Sequence, residues 1–405
     1  MRKILLCVAL SFNLLFSYFS AEDSYSKQVN VLRSLDIDIS FLQDSMFLNM
    51  KEDIKDYQSK QFLKILDDGS EFVPVLKNML KEANVPDAFL YLAMAESGFS
   101  TKAYSKAKAS GLWQFMAPTA KKFGLEIDEY IDERRDLIKS TEAAISYLQE
   151  LHNTFGKWYL AAMAYNCGEG RVSRAIKEAG SDDLYTLLDE KKKYIPAETR
   201  RYIRKIVMMA HLSENTNFVV GNDASHLLNS GNSAVVFEKI ELKGGTSLGL
   251  VANAIDMSLN QLLSYNAHLN YFFTPPTKEK YHIYIPYEKI SLLTQNIGSI
   301  ESKSKFLVHT VAKGDSFYKI ASKYNVKQKM IKDFNNINSD TLKIGQKLVI
   351  PSMAKDAKFY VIKNGDTLTS ISSKYKTSVQ SIVLANDLQG STIYPGDKLA
   401  IPMSF

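Results

Sequence analysis

Two stretches near the carboxy-terminal end of this 405-residue chain match each other at a constant offset of 51 residues. The first begins at His309 and the second at Tyr360. The offset pairs Gly314 with Gly365, Asp315 with Asp366, Ile320 with Ile371, Lys323-Tyr324 with Lys374-Tyr375, Asn335 with Asn386, Gly345 with Gly396, and Pro351 with Pro402. A repeat of this length marks one supersecondary unit used twice, which constrains the architecture before any single residue is considered. Each unit opens with an alternating strand and turns at Gly-Asp into a helical segment such as Ser316 to Tyr324. A second apolar-periodic segment follows, from Lys327 to Asn335 in the first copy. The unit closes on a Gly turn and a strand ended by Pro. A weaker third copy lies upstream at an offset of 69, placing Gly245, Ser247, Ala252 and Asn266 on Gly314, Ser316, Ala321 and Asn335. Its alignment needs a gap where Pro275 and Pro276 precede the final strand. The predicted modules are therefore 306–352, 358–403 and a degenerate one over 234–290.

The strand, helix, helix, strand order resembles the LysM module, a small βααβ domain whose members bind polymers containing N-acetylglucosamine. Charge fits an anionic surface. From Glu301 to Phe405 there are 16 lysines, no arginine and 8 acids, a net +8 against +6 for the whole chain, so the remainder sums to −2. Carboxylates of wall peptides suit such a tail, although acidic lipid, nucleic acid or a merely solvated lysine-rich face satisfy the same charge argument.

At the amino terminus Arg2 and Lys3 precede an apolar run from Ile4 to Phe19, the pattern of an export signal over 1–21. A retained anchor is the competing reading, and the run is shorter than the roughly 20 residues of a membrane span. Removal of the signal leaves Cys167 as the one cysteine, which excludes a disulfide framework. Residues 22–70 look helical, and 71–220 form an all-α block of ordinary domain size, with apolar residues at three- and four-residue spacing in Phe72 to Ala83 and Thr141 to Phe155. Linkers are expected at Gly221 to Ser233 and Thr294 to Lys305, where Asn, Ser and Gly accumulate.

Four segments of the helical block carry the chemistry. From Ala88 to Ala95 every residue is apolar or Tyr, so that helix is buried on nearly all sides. It should begin at Pro86 and end at Gly98. Glu96 sits in its last turn. Apolar surroundings and the unpaired carbonyls of a helix end both disfavour the charged carboxylate, which raises its pKa toward that of a working general acid. A glutamate that simply reaches water at the helix end is the bland alternative. The segment "SGLWQFMAPTA" combines a flexible Gly with Trp113, Gln114 and Met116, residues able to stack on and hydrogen-bond to a sugar, although Trp113 and Tyr165 taken singly read as core aromatics. "AMAYNCGEGRV" is a buried helix running out at Tyr165 and Asn166, and "PAETRRYIRK" puts Glu198 and Tyr202 on one helical face.

The order and spacing of these segments, with Glu96-Ser97 lying 18 residues before Gln114, resembles the catalytic domain of the family 1 lytic murein transglycosylases, LysM repeats included. That resemblance implies a multidomain chain: an all-α, lysozyme-like catalytic domain followed by small α+β (βααβ) LysM modules. It implies Glu96 as the catalytic acid, Ser97, Ser105, Gln114 and Met116 at substrate-cleft positions, and Tyr165, Asn166, Glu198 and Tyr202 as further substrate-binding or supporting residues. Ala117 intervenes before Pro118 where the family has Pro directly, which implies a start of the following helix displaced by one residue. The implied reaction cleaves the bond between N-acetylmuramic acid and N-acetylglucosamine without water, giving a 1,6-anhydro end. No cofactor or metal is expected, the six histidines being scattered. Peptidoglycan is the expected partner, nucleic acid is not, and membrane contact follows only if the first segment is retained. The implied location is outside the cytoplasm, in the periplasm or cell envelope. A lysozyme-like hydrolase and a non-catalytic wall-binding protein are the rival readings.

Overall fold

The computed structural model describes residues 25–53, 57–215 and 237–401, less 304, 325, 336, 353–357, 376–378, 380–381, 384–391 and 397. The expected export signal and the expected linker at Gly221 to Ser233 lie outside the described residues. Among those described, no helix is long and apolar enough to cross a membrane. Two compact units result, one holding 1–128 and 132–236, the other 129–131 and 237–405.

The first unit is helical throughout: α1 (25–34), α2 (Ser45–Asp53), α3 (Tyr57–Asp68), α4 (Val73–Glu82), α5 (Leu90–Ser97), α6 (Ala117–Lys122), α7 (Leu137–Phe155), α8 (Trp158–Cys167), α9 (Glu169–Ala179), α10 (Leu184–Leu187) and α11 (Ala197–Glu214). Two of these form its centre. In α5 the run Leu90 to Met94 is buried without interruption, and in α8 so is Tyr159 to Ala164, because neither helix has a polar face to offer water. Helix α5 starts just after Pro86, through a short 3-10 turn, and ends at Gly98, whose left-handed φ of 60° lets its N–H return to the Met94 carbonyl at 2.9 Å. Asp136 caps α7 by accepting from Ile138 and Lys139 backbone N–H groups at 3.0 and 2.9 Å. Met116 is the residue before α6, and Pro118 takes the second helical position, where a missing N–H costs nothing.

The amino-terminal helices pack on this block. Leu32, Leu35, Phe41 and Phe47 are buried, Phe47 lies edge-on to His211 of α11, and the Gln28 carbonyl is 3.1 Å from His211 Nε2. Arg204 of α11, whose side chain is only 3% exposed, reaches both oxygens of Asp44 at 2.9 and 3.1 Å and Glu190 at 3.3 Å.

The second unit contains three small cores, each with a two-stranded antiparallel sheet. In the first, β1 (Phe237–Lys243) pairs with β2 (Lys280–Pro286), and α12 (Leu248–Ala254) and α13 (Leu259–Tyr265) lie between them in sequence. The expected linker from Thr294 to Lys305 is a correction: α14 (Ile290–Lys303) runs through it. Leu293 and Ile300 of that helix are buried in the core of the β1–β2 module, with Ile290 and Ile297 packed alongside, so the module continues past 290. Asn, Ser and Gly accumulate there, but the apolar residues recur at helical spacing and decide the outcome.

The next module has β3 (Lys305–Thr310), α15 (Phe317–Tyr324), α16 (Gln328–Phe334) and β4 (Lys347–Ser352). The last has β5 (Lys358–Val361), α17 (Leu368–Lys374) and β6 (Lys398–Ile401). Asn335 explains one matched position of the repeat. Its Nδ2 donates to the Val349 carbonyl at 2.8 Å while its Oδ1 accepts the Val349 N–H at 2.7 Å, riveting the end of the second helix to the closing strand. Asn266 makes the same pair with Tyr284, at 2.8 and 2.7 Å, and is fully buried. Replacing Asn266 by Ala leaves both Tyr284 backbone groups buried without that partner. The expected loss is about 2–3 kcal/mol, read as a lower Tm in calorimetry of the full chain.

Candidate active site

Glu96 ends the central buried helix, half-buried itself. Its Oε1 accepts a hydrogen bond from the Tyr202 hydroxyl of α11 at 2.5 Å. Burial pushes the Glu96 carboxyl up from its ordinary pKa, and the bond from Tyr202 and the Lys205 ammonium oppose that, with the Glu198 carboxylate adding a weaker upward push. The two tyrosines nearby are held far above the usual phenol pKa, first by burial and then by the Glu96 charge. They therefore remain neutral donors.

The other residues singled out in the sequence lie at the end of α5, in the loop 98–116, at the end of α8 and in the first turns of α11. Tyr165, at the end of α8, donates to the Trp113 carbonyl at 2.8 Å and ties that helix to the loop bearing Gln114. Asn166 accepts from Thr199 Oγ1 of α11 at 2.6 Å. Gln114 occupies a left-handed φ of 48°, unusual for a residue with a side chain, and its Nε2 donates to the Gly111 carbonyl at 2.8 Å and the Ala103 carbonyl at 3.3 Å. Ser105 accepts the Ala109 N–H at 3.0 Å within the same loop, and Met116 is 44% exposed at its end. Ser97 turns back to the Ala93 carbonyl at 3.2 Å. Glu198 is exposed.

Trp113 is the core aromatic that it reads as when taken singly, and does not stack on a sugar. It is fully buried, with Nε1 donating to Thr141 of α7 at 2.9 Å. The exposed aromatic of that loop is Tyr104 instead. Sequence reasoning also missed Tyr147, whose ring packs on Tyr165 at 5.2 Å and on Phe123 at 5.0 Å, as well as Thr199 and the Asp132–Arg134 pair. Thr199 directly follows Glu198 and was within reach of the motif. Tyr147 lies on a helix legible only by its apolar periodicity, and Asp132 and Arg134 in a charged turn that belongs to none of the four segments.

One partly buried acid, two neutral phenols and a loop of amide, hydroxyl and thioether groups can donate a proton to an ether oxygen and hold a polyhydroxylated chain beside it. Cys167 is a free thiol, pushed up in pKa chiefly by burial, which makes it a poor nucleophile.

Known families match in the same order. Residues 74–187 match the transglycosylase SLT domain, 236–302 the LysM-like domain of lytic transglycosylase MltD, and 309–351 and 360–402 the LysM domain. The membrane-bound lytic murein transglycosylase D of Escherichia coli K12 is 27% identical over 351 residues, covering 80% of this chain and 75% of that protein. The cell wall-binding protein YocH of Bacillus subtilis is 38% identical over 93 residues, 23% of this chain and 32% of that one. Lytic transglycosylase Slt of Pseudomonas aeruginosa is a similar solved structure at 24% identity and a TM-score of 0.29, covering 37% of this chain and 24% of that one. With the SLT match falling on the helix that carries Glu96, and the LysM matches on the two-stranded modules that follow it in sequence, the chain carries a transglycosylase SLT domain followed by an MltD-type LysM-like domain and two LysM domains, the make-up of a lytic transglycosylase with LysM repeats.

Proposed function

We propose that this protein is a peptidoglycan lytic transglycosylase in which Glu96 serves in turn as general acid and general base, while the LysM modules hold the enzyme on the wall. The observation that carries the reading is a carboxyl at the end of a buried helix, pushed up in pKa by burial and fixed through one oxygen by Tyr202. With Oε1 occupied by the Tyr202 hydroxyl, Oε2 is the atom that holds the transferable proton. That proton passes to the glycosidic oxygen as the bond from it to C1 of N-acetylmuramic acid breaks. The C6 hydroxyl of the same sugar then attacks C1, closing the 1,6-anhydro ring, and its proton returns to Glu96. Atoms balance without water.

An ordinary glycosidase needs a second carboxylate as nucleophile or base. Glu198 is exposed and exerts only the weakest of the named influences on Glu96, so it suits an orienting role rather than that of the partner acid. Gln114, Ser105 and Met116 line one side of the substrate path, and Tyr165 and Asn166 brace the other. Ser97 supports the end of α5. Several weak wall sites on one chain raise its local concentration on an insoluble polymer. Such an enzyme acts outside the cytoplasm, in the cell envelope, and export to the periplasm through 1–21 completes the picture.

Mass spectrometry of muropeptides from a sacculus digest tests the chemistry. Anhydro products, each lighter by one water than the hydrolytic product, are expected, and a digest containing only reducing ends would make the enzyme a hydrolase. A second measurement addresses Tyr202. Its replacement by Phe removes the bond that favours the charged carboxylate, so the alkaline limb of the pH–rate profile should move to higher pH. At the optimum the rate should fall roughly 10- to 100-fold from loss of a charge-assisted bond of ~1.5–3 kcal/mol. A limb that does not move would separate Tyr202 from the reacting acid.

A further inference from the structure

Gln114 is held in a backbone conformation that a residue with a side chain adopts at a cost, and such a conformation persists only where the surroundings over-determine it. Its own hydrogen bonds stay within the loop, to the Gly111 and Ala103 carbonyls, and the contacts that brace the loop around it come from outside. Arg134 lies in the short turn Glu133–Arg135 and is 6% exposed. Its Nε and Nη2 take both oxygens of Asp132, at 2.8 and 2.7 Å, which fixes the plane of the guanidinium and neutralises it. The opposite corner of the fork, Nη1, donates to the Lys108 carbonyl at 2.9 Å and the Phe115 carbonyl at 3.1 Å. Those carbonyls lie on either side of Gln114 in the chain. A single planar group therefore fixes the separation between the two limbs of the loop.

The middle of the loop is seated against the same residue. Gly111 has a φ of 82°, and a Cβ built on it would stand 1.7 Å from the Arg134 carbonyl oxygen, so only glycine permits the approach. Three points of the Ala103 to Met116 loop thus meet Arg134: two through its side chain and one through its backbone. We propose, on the reading of that loop as one side of the glycan path, that Arg134 is a positioning residue which sets the aim of Gln114 and Met116 at the substrate without touching it. Nothing in its contacts reaches Glu96. Its influence therefore falls on how the strand is held, not on the protonation of the acid.

Arg134→Lys is the informative variant. It keeps a cation beside Asp132, so the buried carboxylate stays paired, but a single ammonium cannot satisfy Asp132 and both carbonyls at once. The Phe115 carbonyl still accepts the Ser110 N–H at 3.1 Å, so the loop can form without the fork. Wild type, Arg134→Lys and Glu96→Gln of the full chain are compared on soluble peptidoglycan fragments, with folded fraction measured by circular dichroism.

The expected result is a roughly 10- to 100-fold fall in kcat/KM for Arg134→Lys, carried mainly by KM, as removal of binding common to ground and transition states requires. The alkaline limb of the pH profile should stay where it is in wild type. Asp132→Asn, which removes the charge that orients the fork but keeps its shape, should give a smaller effect of the same kind. Unchanged kinetics at equal folded fraction, or a fall in kcat accompanied by a moved limb, would overturn the assignment. So would collapse of both variants, which would make the pair a folding element alone. Absence of anhydro products from the wild-type digest is a separate outcome, and it defeats the functional reading without reference to Arg134.

Discussion

Glu96→Gln should abolish formation of anhydro muropeptides, with a fall in rate of ~10³-fold or more, while sedimentation of the protein with purified sacculi stays at the wild-type level. The amide keeps the shape of the side chain but has no proton to give the leaving oxygen and cannot take one back from the C6 hydroxyl. General acid and base assistance each contribute about 10²–10⁴-fold, and here one residue supplies both. Binding should survive because the LysM modules have cores of their own. Equal cleavage by wild type and variant would transfer the chemistry to another residue.

The same substitution carries a stability test. The carboxyl is raised in pKa in the folded state, chiefly by burial, so the folded protein prefers it protonated. Its contribution is fully favourable below the ordinary glutamate pKa and is lost as pH rises through the raised, folded-state value. Gln imitates the protonated form at every pH. Glu96→Gln should therefore melt higher than wild type at pH 8, with the gap closing as pH falls below the Glu96 pKa. A constant gap across that range would mean that Glu96 is solvated.

Arg204→Ala should cost about 3–5 kcal/mol, the usual penalty for removing one partner of a buried ion pair. The side chains of Arg204 and Asp44 are 3% and 10% exposed, so Asp44 would be left as a charge with neither water nor a cation beside it. The loss would also loosen the start of α2 from α11, since the pair joins the residue before α2 to that helix. Urea titration measures the first effect, and faster proteolysis between 25 and 53 the second. Asp44→Asn combined with Arg204→Ala should recover part of the loss, because Asp44 is then no longer left as an unpaired buried charge. Since α11 also carries Tyr202, activity of the single variant should fall together with its folded fraction.

Much of the site was legible because its signals are local. A wholly apolar helix ending in Glu and Gly declares both burial and a terminus, so the raised carboxyl of Glu96 could be anticipated from sequence. Tyr202 and Glu198 could be placed on one helical face by their spacing of four. The hydrogen bond from Tyr202 to Glu96 could not, because it joins residues 106 apart in the chain. Trp113 reads two ways in sequence, as a core aromatic when taken singly and as a stacking group within its segment, and the structure decides for the core. An aromatic inside a sugar-binding segment looked able to stack on ligand, yet Thr141 captures its only donor from a helix the motif does not include.

The sequence by itself determined the order of the parts: a helical block with an isolated acid at a buried helix end, then βααβ units repeated at a constant offset. Periodicity and capping residues act within a few positions, and a repeat needs only comparison with itself, so both survive without coordinates. The tertiary structure decided what those residues are held by. Arg134 spans Asp132, Lys108 and Phe115, Asn266 rivets a helix to Tyr284, and α14 runs through the expected linker because its apolar positions find a core. Hydrogen bonds and packing over long separations in sequence depend on how the chain returns on itself, and local pattern carries no record of that return.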